Sequence, residues 1–362
     1  MSIRRGGWIC LFCLSLGCGF ARQDEPAEQA KPASAVSPGS ADRRITLDVV
    51  VTDKSGKPVS GLQQADFTLL DNKQPTRIVS FRGVDGGAAA DRPVEAILLF
   101  DEINTAYSRM IFAREQIRKY VQKLGGELPV PMSIAYLTDK GVVAMEETAT
   151  RDAGALLNSL DRHKNGLRAL GATTGAYGAA ERQQLSVKDI GEIVKKLAAK
   201  PGRKLVIWIS PGWPMLSGPS IELSAKDRQW IFDALVALSG DLRLAGITLY
   251  HVDPQGLGDT GQVQSTYYMG FLKGLKTPRE AQFANMALQV FAVQTGGRVL
   301  NASNDVAAEI ATCVGDATAY YSVSFDGLAG DGPNEYHALE IKLGKPGLKA
   351  LTRTGYYAQP GR

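Results

Sequence analysis

The spacing of apolar residues along this chain switches between strand and helix periods, and the switches divide it into blocks. Val94–Asp101 (VEAILLFD) is an almost unbroken apolar run ending in a carboxylate. Such a run suits a strand buried on both faces of a parallel sheet. Lys204–Ser210 (KLVIWIS) and Ile247–Val252 repeat the pattern. Between them the spacing turns helical. Met110, Ile111, Ile117, Val121 and Leu124 predict a helix over Tyr107–Leu124, and Ile190, Ile193, Val194 and Leu197 predict one within Ala176–Ala199. Strands are expected at Met132–Thr138, Val142–Glu147 and Gly297–Leu300, and helices at Asp152–Leu160, Ser224–Leu238, Arg279–Thr295 and Asp305–Val314. Ser224, with Asp227 three residues on, has the form of a helix cap. Strand alternating with helix signals βαβ units and a doubly wound, mostly parallel α/β sheet. Ligands of such folds sit outside the carboxyl ends of the strands, so a binding site is expected to begin at Asp101.

Blocks of β pattern flank this region. Ile45–Val51, Asp66–Leu70 and Thr76–Phe81 read as strands before it, and Thr318–Phe325, Tyr336–Leu343 and Leu351–Tyr357 after it. The expected organisation is a β block over 44–92, the α/β domain over 93–315, and a second β block over 316–358. The two β blocks are expected to pack together as a small β-sandwich. Residues 22–43, rich in Pro, Ala, Ser, Gln and Glu without periodicity, read as a disordered linker.

The first 21 residues change the compartment. Arg4 and Arg5 precede a short apolar core, Trp8–Phe20, and Gly19-Phe20-Ala21 offers small residues at a cleavage position. This is the form of a secretory signal peptide, so an exported protein is expected, in the periplasm, on the cell surface or secreted. A lipoprotein carrying lipid on Cys18 is the rival. Three of the four cysteines lie in this segment and Cys313 stands alone beyond it, so no internal disulfide is expected in the mature chain. No other stretch is apolar and long enough to cross a membrane.

Composition removes further classes. With 44% hydrophobic and 22% charged residues the chain is ordinary and globular, and its formal charge of +4 shows no basic stripe interleaved with aromatics. Nucleic acid is not an expected partner. The histidines, His163, His251 and His337, fall in different elements, and no His-Glu-x-x-His, Gly-x-Ser-x-Gly or phosphate loop occurs. No enzyme is therefore expected, and His251 is read as a structural histidine. Trp208 reads as core. Trp213, after Pro211-Gly212, is a candidate aromatic anchor for a partner.

The α/β block resembles the von Willebrand factor A (VWA) domain, whose first strand ends in Asp-x-Ser-x-Ser. The resemblance implies a metal-ion-dependent adhesion site, because a hard cation held by carboxylate and hydroxyl oxygens can also take a partner's carboxylate. Asp101 stands at its first position and Thr105 at its last hydroxyl, with Ile103 at the middle Ser. Gly171–Tyr177 is similar to the second loop, with Thr174 the matching hydroxyl. The third loop's Asp-Gly is replaced by Pro211-Gly212. With two of five ligand positions lost, Asp101 is expected instead to cap the following helix and bind loop amides. The segments ITLDVVVTDKSGKPVSGLQQADFTLLDN, FDEINT, YHVDPQGL and KPGLKALTRTGYYA are similar to a secreted, acidobacterial-type VWA-related family, over roughly Ile45–Tyr357.

The expected function is an exported protein-binding module with a degenerate adhesion site, its partner an unknown protein. Asp101, Asn104, Thr105, Thr174 and Trp213 form the expected contact rim, and no cofactor is required. The alternatives are a cation-dependent adhesion module holding Mg²⁺ or Mn²⁺ through Asp101, Thr105 and Thr174, and a structural envelope component without a ligand.

Overall fold

A computed structural model describes residues 43–86, 92–144, 148–163, 176–214, 222–255 and 266–360. The signal-peptide, linker and Thr174 expectations lie outside these residues.

The central sheet runs, edge to edge, Val299–Leu300, Ile247–Val252, Arg203–Ile209, Val94–Asp101, Glu127–Thr138, Gly141–Ala144. The pairs are parallel except at Gly141–Ala144 and at Thr150–Asp152, which both run antiparallel to Glu127–Thr138. Numbered by appearance, and leaving aside Thr150–Asp152, the strands lie in the order 3-2-1-4-5-6 of a doubly wound fold. The switch in winding direction falls between Val94–Asp101 and Arg203–Ile209.

Both faces of these strands are covered, which is why their sequences are apolar without alternation. Helices Tyr107–Leu124, Ala153–Arg162 and Val306–Thr318 pack on the face carrying Ala96, Leu98, Phe100 and Ile207. Helices Ala176–Ala198, Ala225–Leu244 and Leu288–Gln294 pack on the face carrying Ile97, Leu99, Val206 and Trp208. Their starts follow the sequence signals. Asp152 and Asp305 accept the amides of Ala155 and Ala308 as N-caps, and Ser224 and Asp227 form a reciprocal capping box.

Strands from the two flanking blocks interleave in two four-stranded sheets. One is Lys349–Leu351, Arg44–Thr52, Ala319–Asp326, Ile78–Asp85, and the other Gly355–Ala358, Glu335–Leu343, Phe67–Asp71, Gln74–Thr76. Leu47, Val49, Phe67, Leu69, Val323, Phe325 and Leu339 fill the space between them. From the outer face of the first sheet, Val50, Val84 and Tyr320 join the core of the α/β region. Asp48, on the same face, accepts from Arg92 at 3.2 Å and lies 3.3 Å from Arg203 Nε. The Arg203 guanidinium also sits 4.3 Å from the Tyr320 ring centre. The sandwich is thus joined to the sheet by apolar packing and by charge.

Several expected elements differ. Thr76–Phe81 is divided between Gln74–Thr76 and Ile78–Asp85, and the strand expected at Met132–Thr138 begins at Glu127. Arg279–Thr295 is not one helix but short 3-10 turns at Pro278–Glu280 and Phe283–Met286 followed by Leu288–Gln294. Ala281 and Ala287 are extended, and Gln282 with Asn285 caps a fresh turn. From Ala284 onward nearly every residue is buried, so the apolar residues there need no helical stripe. Leu351–Tyr357 is likewise two strands, since the chain crosses between sheets at Thr352–Thr354. A Cβ at Gly355 would come within 2.3 Å of the Tyr336 hydroxyl, so only glycine passes there.

Candidate functional site

The switch point places the ends of two neighbouring strands side by side, Asp101 on one and Ser210 just past the other. Asp101 is fully buried. Its Oδ1 accepts the backbone N–H groups of Ile103 and Asn104 at 3.1 and 3.0 Å. Its Oδ2 accepts from Asn104 Nδ2 at 2.8 Å, and from Trp208 Nε1 and Ser210 Oγ at 3.0 Å each. Burial raises the Asp101 pKa, while the donors from Trp208, Asn104 and Ser210 oppose that rise. The carboxylate therefore organises the loop from within. The expectation that it binds loop amides is met, but it caps no helix: Ala106 is the N-cap of Tyr107–Leu124, without a side-chain bond.

Asn104 extends the arrangement, donating from Nδ2 to Ser186 Oγ at 2.9 Å as well as to Asp101. Ser186 and Asp189, one turn apart on Ala176–Ala198, are both buried, and neither carries a distinguishing mark in the sequence. Burial raises the Asp189 pKa, with Lys188 opposing and Asp101 adding to it. Asn104 Oδ1, Thr105 Oγ1 and Asp189 Oδ2 are buried without hydrogen-bond partners among the described residues. On the other side of the loop, Glu102 Oε1 meets His163 Nε2 at 2.9 Å, and the His163 ring stacks on Tyr136 with centres 3.5 Å apart.

Trp213 is not an exposed anchor. It is 3% exposed, packing edge-on against Trp208 at 5.2 Å and tilted against Phe291 at 6.1 Å. The turn that carries it is folded inward by Ser210 Oγ, which accepts the Gly212 N–H at 3.0 Å. Gly212 has φ +103°, and a Cβ there would lie 2.3 Å from Gln289 Nε2. Asp101 and Thr105 are also buried, so neither forms an open contact surface. Of the expected rim, Asn104 remains half-buried; Glu102 beside it is also half-buried, and Tyr107, two residues beyond Thr105, is 51% exposed.

Neither ring nitrogen of His251 has a side-chain partner among the described residues, and full burial depresses its pKa to about 4 against the opposing effect of the Ser210 backbone. On the helix side of the same strand end, burial pushes Asp253 up to about 6 and Glu309 up to about 7, the latter also feeling Asp253 and Asp305.

Asp101 is committed to internal donors, and Ile103 and Pro211 supply no side-chain oxygen. Among the described residues no group of His, Cys, Asp and Glu is placed to hold a metal ion.

Fold and site together define a doubly wound α/β protein with an internally bonded loop at its switch point. No family model and no curated protein matches the sequence. Similar solved structures include proximal thread matrix protein 1 from the mussel byssus, at 12% identity and TM-score 0.35, over 67% of this chain and 49% of that one. The human COPII-coat protein Sec24c is similar at 12% identity and TM-score 0.32, over 75% and 44%. The VWA domain of SpRpn10 is similar at 13% identity and TM-score 0.27, over 60% and 93%. The chain thus spans about half the length of the mussel protein. No described helix is long and apolar enough to cross a membrane.

Proposed function

We propose that this chain is an exported, non-enzymatic protein-binding module of the secreted VWA-related kind, which meets its partner at the C-terminal rim of its parallel sheet without a bridging cation. The observation that carries this reading is the state of Asp101, whose two oxygens accept five internal hydrogen bonds. A carboxylate so engaged holds the loop in one shape and leaves recognition to the groups around it. Those groups are Glu102, Asn104 and Tyr107, of which the exposed tyrosine is of the residue type that anchors protein interfaces. Export is supported by the charged, apolar and small-residue order of the first 21 residues.

The test is calorimetric titration with Mg²⁺ and Mn²⁺, beside an Asp101→Ala variant, together with partner capture from envelope extracts in EDTA. The reading expects no heat of cation binding. It also expects a captured protein that Tyr107→Ala and Glu102→Ala both release. Cation binding lost in Asp101→Ala would establish the adhesion mechanism instead. Capture indifferent to both rim variants would favour a structural envelope component.

A further inference from the structure

At the opposite end of the α/β sheet from Asp101, positive charge exceeds its counter-charge. Arg92, Arg203, Arg243 and Arg298 stand at or just before the starts of successive strands. Asp48 takes Arg92 and Arg203, and Asp316 takes Arg298 at 2.6 and 2.8 Å. Arg243 and Arg353 are left over, making no side-chain hydrogen bond or ion pair among the described residues. Arg353 is only 8% exposed. Burial and the nearby Arg243 lower its pKa to about 10 against the attraction of Asp48 and Tyr336, so it stays charged at neutral pH. Asp48 is already shared by Arg92 and Arg203, and a buried guanidinium without an anion of its own is costly, since its desolvation is repaid only by a partner.

The ground beside Arg353 is hollow. Its neighbour Thr354, and Tyr336, whose hydroxyl feels the Arg353 charge, line a cavity of about 670 Å³ between the sandwich and the 266–276 segment. That volume falls within the roughly 300–1,000 Å³ of small-molecule sites. Lys73, Lys273 and Lys276 stand on its rim, and none has an ion pair among the described residues. The one acid among the described lining residues, Glu335, is engaged by the Asp331 N–H at 2.6 Å and lies 3.8 Å from His337 Nε2. Three free ammonium groups around a hollow, with an unpaired guanidinium behind its wall, describe a receptor for negative charge.

We propose that this cavity binds an anionic small molecule through a phosphate or carboxylate group, held by Lys73, Lys273 and Lys276 and stabilised from behind by Arg353. The site is independent of the rim at Asp101. Inorganic phosphate, titrated at constant ionic strength and followed by ³¹P line broadening, tests the phosphate arm. Glucuronate, followed by the rise in Tm, tests the carboxylate arm, with chloride as the control for screening. Saturable binding of either anion is expected, weakened at least ~10-fold in Lys273→Glu/Lys276→Glu, a change confined to exposed side chains. Arg353→Met is expected to weaken it as well, and the lysine variant decides the matter if Arg353→Met fails to fold. An effect no larger than that of chloride, or one unchanged in the lysine variant, overturns the proposal.

Discussion

Asp101 and Trp208, 107 positions apart in the chain, meet through an indole N–H donated to Oδ2 at 3.0 Å inside the sheet's C-terminal edge. The bond links neighbouring parallel strands at the point where the winding reverses. It makes the buried carboxylate an internal brace between the two strand ends.

Removing that brace is expected to be expensive. Asp101→Ala strands the Trp208, Ser210 and Asn104 donors in a buried place, which costs about 3–5 kcal/mol by comparison with other broken buried charged networks. Urea denaturation of the two proteins measures it. A loss below about 1 kcal/mol would show that the loop re-forms its bonds elsewhere.

Trp213 gives a second, separable outcome. Its burial against Trp208 and Phe291 predicts that Trp213→Ala costs about 3–5 kcal/mol. Trp230, 53% exposed, is expected to change stability by less than about 0.5 kcal/mol when truncated. Thermal denaturation of both variants distinguishes a core tryptophan from a surface one.

Acid should destabilise the protein through His251. Its folded pKa of about 4 lies below the ordinary value of 6.5, so the unfolded chain takes up the proton first. Stability is therefore full above pH 6.5 and falls as the pH drops toward 4, by about 3 kcal/mol from this group. His251→Gln is expected to flatten the stability profile between those limits. An unchanged slope would remove His251 as the cause.

Glu309 acts with the opposite sign. Its folded pKa of about 7 lies above the ordinary 4.5, so its contribution is full below pH 4.5 and is lost as the pH rises through 7. Glu309→Gln is expected to stabilise the protein at pH 8 by on the order of 2 kcal/mol, a figure reduced for partial solvent access. Denaturation at pH 5 and pH 8 checks this, with a gain expected only at pH 8.

In the sandwich, Asp71 is fully buried and holds His337 Nδ1 at 2.8 Å on one oxygen and the Tyr356 hydroxyl at 2.7 Å on the other. Tyr356→Phe removes one donor and should cost about 1–2 kcal/mol, whereas Asp71→Ala should cost about 3–5 kcal/mol. Equal losses in chemical denaturation would mean that the His337 contact adds nothing.

Much of the fold is legible in the order of residues alone. Helix Tyr107–Leu124 and strand Ile247–Val252 have the bounds that periodicity gives them. Their signals are strong because a helix with one buried stripe, and a strand buried on both faces, each write burial directly into residue order. Arg279–Thr295 misleads because its part from Ala284 onward is nearly all buried and carries no period to read. Glu127–Val130, the start of a longer strand than expected, escapes notice because Pro129 and Pro131 mask it. In the site, Asp101 stands out as the carboxylate closing an apolar run. Ser186, Asp189 and His163 carry no comparable mark.

The sequence by itself determined the alternation of elements, hence the parallel sheet, and the carboxylate that closes its first strand. Both are properties of local order and residue type. Only the tertiary structure decided which way Trp213 faces, what occupies the oxygens of Asp101, and that Arg353 lies buried without an ion pair among the described residues. Each of these depends on residues brought together from distant parts of the chain, and the charge on a side chain says nothing of its balance until the neighbours that surround it are known.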